Sequence, residues 1–298
     1  MIGSPFLAGR DRYERVMDGR VDNTHDAAFT HTVRLSDPDR SVEVTAVCTP
    51  SPGYEVREAS VRVLSGAVDP GIARDFPGLA GARMVGGFTK RLADLCGPRE
   101  GAGLLVDAGI EVARLSRQVT KMPAAAVASL APGDSQACWA LDMAGWVDLP
   151  DSCFTYSPAG RALFGTRAVS SPMVPALYCP PPGMLGVFTR KKVARLVVTG
   201  SRLHLFHSMH DNVHGFDVHY EVDLDRGTIV AADSITSRLP YAGICSEPQS
   251  RVESLRGQAV DVALRKRIQG LLGGIGGCAQ LYDLTSDLLK LLSIESNS

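Results

Sequence analysis

The chain repeats itself, and this limits it to folds that one pattern can build twice. Leu79 to Leu115 aligns with Leu255 to Leu291 at a constant offset, with matches at Leu79/Leu255, Gly81/Gly257, Lys90/Lys266, Arg91/Arg267, Leu95/Leu271, Gly97/Gly273, Gly101/Gly277, Leu105/Leu281, Asp107/Asp283 and Leu115/Leu291. Upstream, Gly71-Ile72-Ala73 aligns with Gly243-Ile244-Cys245. The copies are chemically unequal, because Ala73 stands opposite Cys245 and Ala102 opposite Cys278. A copy that has lost polar groups reads as support, which directs the search for chemistry to the second.

Alternating apolar residues predict strands at Val33–Leu35, Val42–Val47 and Val56–Val63, followed by helical stretches closing at Arg117. The second copy repeats the order with strands at Ala194–Val198, Leu203–Met209, Phe216–Leu224 and Ile229–Ile235, and with Asp225-Arg226-Gly227 as a hairpin turn. Helices are predicted near Pro248–Leu255, Val260–Leu272 and Ala279–Leu292. The fold class is therefore α+β: two tandem repeats, each an antiparallel β-meander followed by helices, joined by a long proline- and aromatic-rich segment. The divisions read as an arm or short helix over 1–30, a degenerate first repeat over 31–117, the connecting segment over 118–190 and the second repeat over 191–298.

Composition narrows the function classes. A net charge of −1 leaves no basic excess for nucleic acid or anionic lipid. No stretch reaches the ~20 apolar residues of a membrane helix, and no signal-peptide core is seen near Met1, so a cytoplasmic protein is expected. Seven cysteines without compact spacing read as reduced thiols. Sheet edges left by the two meanders would allow a homodimer.

Five of the seven histidines, His204, His207, His210, His214 and His219, fall in one predicted hairpin. His207, His210 and His214 with Asp211 at its tip are candidate general acids and bases, because imidazole titrates near neutral pH. A polar hairpin with solvated histidines is the plainer alternative. Nine of the 18 prolines and both tryptophans lie in Pro123–Pro182, the makeup of a loop that lines a cavity or simply covers a sheet. Here Tyr156 and Asp151 are candidate catalytic groups, with Trp146, Phe154 and Arg161 as substrate contacts; Tyr220 of the hairpin joins them as a contact. His214, Cys245 and Cys278 form a possible zinc set, although spacings of about thirty residues lack the tight pair typical of such sites. Cys278 opens a predicted helix, a position that favours thiolate. Two small buried residues are the alternative reading of the cysteines. Arg190, Lys191 and Lys192 read as a solvated strand entry.

Gly215-Phe216-Asp217, Asp225-Arg226-Gly227, Gly243-Ile244-Cys245, Leu271-Leu272-Gly273-Gly274 and Gly277-Cys278-Ala279-Gln280-Leu281 together resemble the bacterial domain-of-unknown-function 2889 family, over about 100 residues of the second half. The order of meander, cysteine and helices is similar to the NifU-like iron–sulfur scaffold fold, whose three cysteines would fall here near Val213-His214 and on Cys245 and Cys278. The first position departs from that pattern, giving His, Cys, Cys. The resemblance also implies aromatic catabolism: a cofactor-independent lyase that opens a lignin-derived phenolic dimer such as a phenylcoumaran, with loss of formaldehyde or carbon dioxide. The alternatives are a metal-binding, zinc or iron–sulfur scaffold and a non-catalytic small-molecule-binding module.

Overall fold

The computed structural model describes residues 2–7, 9–131 and 133–294. Strand β1 (Ile2–Gly3) precedes a first meander of β2 (Arg12–Asp22), β3 (Phe29–Ser36), β4 (Ser41–Cys48) and β5 (Val56–Ser65). Helices α1 (Pro70–Asp75), α2 (Phe88–Cys96) and α3 (Ala102–Leu115) follow. The middle of the chain holds helices α4 (Ala124–Val127), α5 (Ser135–Gly145), α6 (Pro158–Ala162) and α7 (Pro175–Tyr178). The second meander is β6 (Phe188–Thr199), β7 (Arg202–Asp211), β8 (Gly215–Asp223) and β9 (Thr228–Arg238). It leads through a 3-10 stretch at Glu247–Leu255 to α8 (Leu264–Leu272), α9 (Ala279–Leu289) and β10 (Ser293–Ile294), which pairs back with β1. The architecture is α+β.

The eight long strands form one antiparallel sheet in the order β5-β4-β3-β2-β6-β7-β8-β9, so the two meanders meet where β2 lies against β6. Period-two alternation writes the sheet: Val42, Val44, Ala46 and Cys48 point inward while Ser41, Glu43, Thr45 and Val47 face out. The inner face of β2–β5 packs on α2 and α3 through Val33, Val44, Leu92, Leu105 and Val112; that of β6–β9 packs on α8 and α9 through Leu205, Val218, Ile268, Leu284 and Leu288. Each such side chain contributes ~1.5–3 kcal/mol by leaving water. Among the described residues, no helix is long and apolar enough to cross a membrane.

Two expectations are corrected here. Residues 1–30 do not form an arm or short helix throughout, since Arg12–Asp22 is a central strand. Tyr13, Met17 and Val21 face the core, but the intervening Arg12, Glu14, Asp18 and Arg20 hide the alternation from a hydropathy reading. Nor is the basic run solvated throughout: Lys191 is exposed, but Arg190 and Lys192 are 2% and 4% exposed. They point inward from β6, where buried carboxylates receive them. Lys192 Nζ donates to Glu111 of α3 at 2.8 Å, and Arg114 of α3 pairs with Glu111, Asp283 and Asp287 at 2.5–3.0 Å. In return Lys290, just past α9, reaches Asp107 of α3 at 3.1 Å.

This network gives a pH signature. Burial alone would raise Glu111, but Lys192 and Arg114 outweigh it and hold the carboxyl down at about 2, from an ordinary 4.5. A carboxylate depressed on folding adds stability above its unfolded value and loses it as pH falls through the folded one. Stability should therefore drop between about pH 4.5 and pH 2, by ~3 kcal/mol from this group. Arg114→Ala, which strands buried carboxylates, should cost ~3–5 kcal/mol at neutral pH in urea denaturation; a loss below ~1 kcal/mol would show the network to be incidental.

Candidate functional site

A cavity of about 130 Å³ lies between the middle segment and the second meander, and Trp146, Cys153, Thr155, Tyr156, His214, Phe216, Cys245 and Cys278 are among its walls. Two polar constellations reach it. The first is built on the β7–β8 hairpin. Asp211 ends β7, and its Oδ1 accepts the backbone N–H groups of Val213 and His214 at 2.8 and 2.6 Å, which fixes the turn. Both carboxylate oxygens lie 3.1 Å from His214 Nδ1, and Oδ2 also receives Arg190 at 2.7–2.9 Å. Burial works against ionisation of Asp211, but His214, Arg190 and the turn N–H groups prevail and hold it far below the usual carboxylate range. An ionised carboxylate on Nδ1 assigns the hydrogen to that nitrogen. It leaves Nε2 without a partner among the described residues.

The second constellation hangs on α5, which starts on the Asp134 side chain capping Ala137 N–H at 2.9 Å. Asp142, 1% exposed, accepts three phenolic hydrogens: Tyr156 and Tyr178 at 2.8 Å each, and Tyr241 in a close contact. Burial pushes the Asp142 carboxyl up to about 6, and the three hydroxyls only partly offset it. The same burial, with Asp142 nearby, holds Tyr156 and Tyr241 well above the usual phenol range. Asp142 and Tyr156 reach the cavity wall; Trp146 lines it too, and its Nε1–H is buried without an acceptor among the described residues.

The cavity carries three thiols. Cys245 is buried, with its Sγ 2.9 Å from Thr155 Oγ1. Burial raises all three, Cys278 to about 12. Cys278 is indeed the N-cap residue of α9, yet the expected thiolate does not follow, because desolvation outweighs the N–H groups of Leu281 and Gln280.

Of the residues singled out by sequence, the structure gathers His214, Asp211, Tyr156 and Trp146. It disperses the rest of the presumed hairpin cluster. His207 points into the core, with Nδ1 2.8 Å from Leu284 O, and burial lowers its pKa to about 4. His210 faces solvent on the opposite side of the sheet, 3.1 Å from Asp217. Period two separates residues 207 and 210 by construction. Asp151 is exposed at φ 58° and lines no part of the cavity. Phe154 packs near Tyr241 and Ile244 behind the wall, Arg161 lies 5.4 Å over the Trp139 ring, and Tyr220 is held under α9 by Thr285 at 2.7 Å. Sequence reasoning missed Asp142, Tyr178, Tyr241 and Cys153. Only Asp142 left a trace, as a lone carboxylate within the apolar run Cys138 to Trp146.

His214, Cys245 and Cys278, the possible zinc set, do share the cavity wall. Among the described residues, however, no three His, Cys, Asp or Glu side chains are gathered as a metal ion requires.

Residues 197–292 match a family described as "Protein of unknown function (DUF2889)". The matched span takes in His214, Cys245 and Cys278 but excludes Asp142, Trp146, Cys153 and Tyr156, so the cavity joins matched residues to a segment outside the match. Comparison with curated proteins and with solved structures gave no match.

Asp142 provides a direct check. An acid raised on folding contributes stability below its unfolded value and loses it as pH rises through the folded one. From an ordinary 3.8 to about 6, the loss should total ~3 kcal/mol between pH 4 and 6. Unfolding free energies of wild type and Asp142→Asn from denaturant titrations across that range should diverge by this amount; parallel curves would mean that the carboxyl titrates normally.

Proposed function

We propose that the cavity is the active site of a cofactor-independent carbon–carbon lyase that works by acid–base chemistry on a phenolic aromatic dimer of the phenylcoumaran type. The observation that carries this reading is the pairing, across one largely apolar cavity, of a histidine backed by an ionised carboxylate with a tyrosine backed by a carboxyl raised to about 6. An apolar cavity of ~150 Å³ holds a benzene ring. The space here suits one ring of a dimer, with the second ring toward Arg117, Gln118 and Leu149 of the wall.

His214 Nε2 takes the proton of the substrate's para-phenol. The phenolate electrons break the benzylic carbon–oxygen bond, Tyr156 protonates the departing aryl oxygen, and a quinone methide results. The Tyr156 phenolate then takes the hydroxymethyl proton, formaldehyde leaves as the carbon–carbon bond breaks, and that electron pair forms the stilbene double bond while the ring regains its phenolate. The imidazolium of His214 returns the first proton. The quinone methide is the electron sink, so the sequence balances without redox change. Protonated Asp142 would turn its own hydrogen to a tyrosine oxygen, releasing the Tyr156 hydrogen toward the cavity. Asp142 and Asp211 are positioning residues in this scheme.

Incubation of the protein with a phenylcoumaran should produce the absorbance of a conjugated stilbene together with formaldehyde. His214→Asn and Tyr156→Phe should each lower kcat by ~10²–10⁴, Asp142→Asn should flatten the fall in rate above about pH 6, and His210→Ala should leave turnover unchanged. Full activity in both His214→Asn and Tyr156→Phe would sink the assignment. A zinc or iron–sulfur scaffold on His214, Cys245 and Cys278 remains the second reading, favoured by their shared wall; stoichiometric metal in purified protein, lost in Cys245→Ser, would install it instead.

The reading extends to the body of the protein, which we take to be a cytoplasmic, internally duplicated chain with a supporting and a working half. Support comes from the exchange of contacts at aligned positions: Arg114 reaches Asp283, while its counterpart Lys290 reaches Asp107, the counterpart of Asp283. Reciprocal contacts of this kind are those of a twofold interface.

A further inference from the structure

Cys153 and Cys278 occupy a geometry that the acid–base scheme does not use. Phe154 N–H donates to Gly277 O at 2.9 Å, joining the middle segment to the entry of α9. The residues flanking that bond are Cys153 and Cys278, and both are extended, at φ −157°, ψ 176° and φ −124°, ψ 118°. The bonded N–H and C=O belong to the peptide units 153–154 and 277–278, so the two cysteines sit on facing peptide units; a disulfide needs neighbouring Cα atoms of this kind, ~4.4–6.8 Å apart. Both side chains line the same cavity, both are partly exposed, and both are free thiols. Cys245, the third thiol of the wall, is buried and engaged by Thr155.

We propose that Cys153 and Cys278 are a site of oxidative modification, forming a reversible disulfide when a peroxide enters the cavity. One thiol attacks the peroxide oxygen, the O–O bond breaks, and a sulfenic acid and water are formed. The second thiol then displaces the sulfenic hydroxyl as a second water, leaving the S–S bond; each sulfur is oxidised by one electron and the peroxide is reduced by two. The bond ties the segment bearing Thr155 and Tyr156 to the N-terminus of α9 and narrows the cavity between them. Burial keeps both thiols protonated at neutral pH, so the reaction quickens as pH rises.

The full chain treated with hydrogen peroxide and mapped by non-reducing peptide mass spectrometry should yield one cross-linked pair containing Cys153 and Cys278, two hydrogens lighter than its separate peptides and split by dithiothreitol. Cys245→Ser should retain the pair. Cys153→Ala and Cys278→Ser should each abolish it, and the wild-type map decides the question should either variant fail to fold. Separate sulfinic acids at the two positions, or a link from either to Cys245, would overturn the proposal. The map needs no substrate, so its outcome is independent of stilbene formation.

Discussion

Buried charge at the β2–β6 junction is the constraint on which the structure turns. Lys192, Glu111, Arg114 and Asp287 lie in the space between the sheet and the two long helices that close it, where each ion alone would carry a desolvation cost of several kcal/mol. They are tolerable only together, and only when α3 and α9 hold one relative position. Apolar packing would accept a range of helix offsets; reciprocal ion pairs do not. The network therefore acts less as a source of stability than as a register mark between the halves. It also sets Arg190, one turn of the pleat from Lys192, at the depth where it meets Asp211. The histidine of the candidate site is thus oriented from the centre of the molecule.

The middle segment completes the site because it is pinned to both halves. Tyr54 and Arg117, from the first half, share Asp148 at 2.6 and 2.7 Å; on the other side Phe154 bonds Gly277 and Tyr241 bonds Asp142. Short helices and turns between those anchors leave the carboxyl of α5 in a dry pocket, and that dryness raises it. The same carboxyl gathers Tyr156, Tyr178 and Tyr241 from three stretches of chain onto one wall of the cavity.

Alternation made most of the sheet legible: Val42–Val47, Leu203–Met209 and Phe216–Leu224 lie in strands β4, β7 and β8, the last running one residue past β8. It failed at Arg12–Asp22 because an open sheet face admits charge at every second position, so the inward residues stood too far apart in a charged run to register. The same confusion made Arg190 and Lys192 look solvated, since charge in a sequence says nothing about whether a counterion waits inside. His214 and Tyr156 could be picked from residue type alone. Their partners could not, because Asp142, Tyr178 and Tyr241 come together from three stretches of chain that share no pattern. Grouping His207 with His210 assumed that closeness in sequence is closeness in space, which a strand contradicts at odd spacing.

The position of β6 beside β2 has a consequence for how the chain reaches this state. Every other contact between neighbouring strands in the sheet joins consecutive strands across a short turn, whereas this one closes the loop of the whole first half and the middle segment. Local pairings form early and cheaply, while a long closure must be compensated by contacts that exist only after it is made. Each meander can gather its own helices first, and docking is the late step. Because the cavity draws its histidine from one meander and its carboxyl from the segment between, its walls come together only with that last event, and no half-folded form of the chain possesses it.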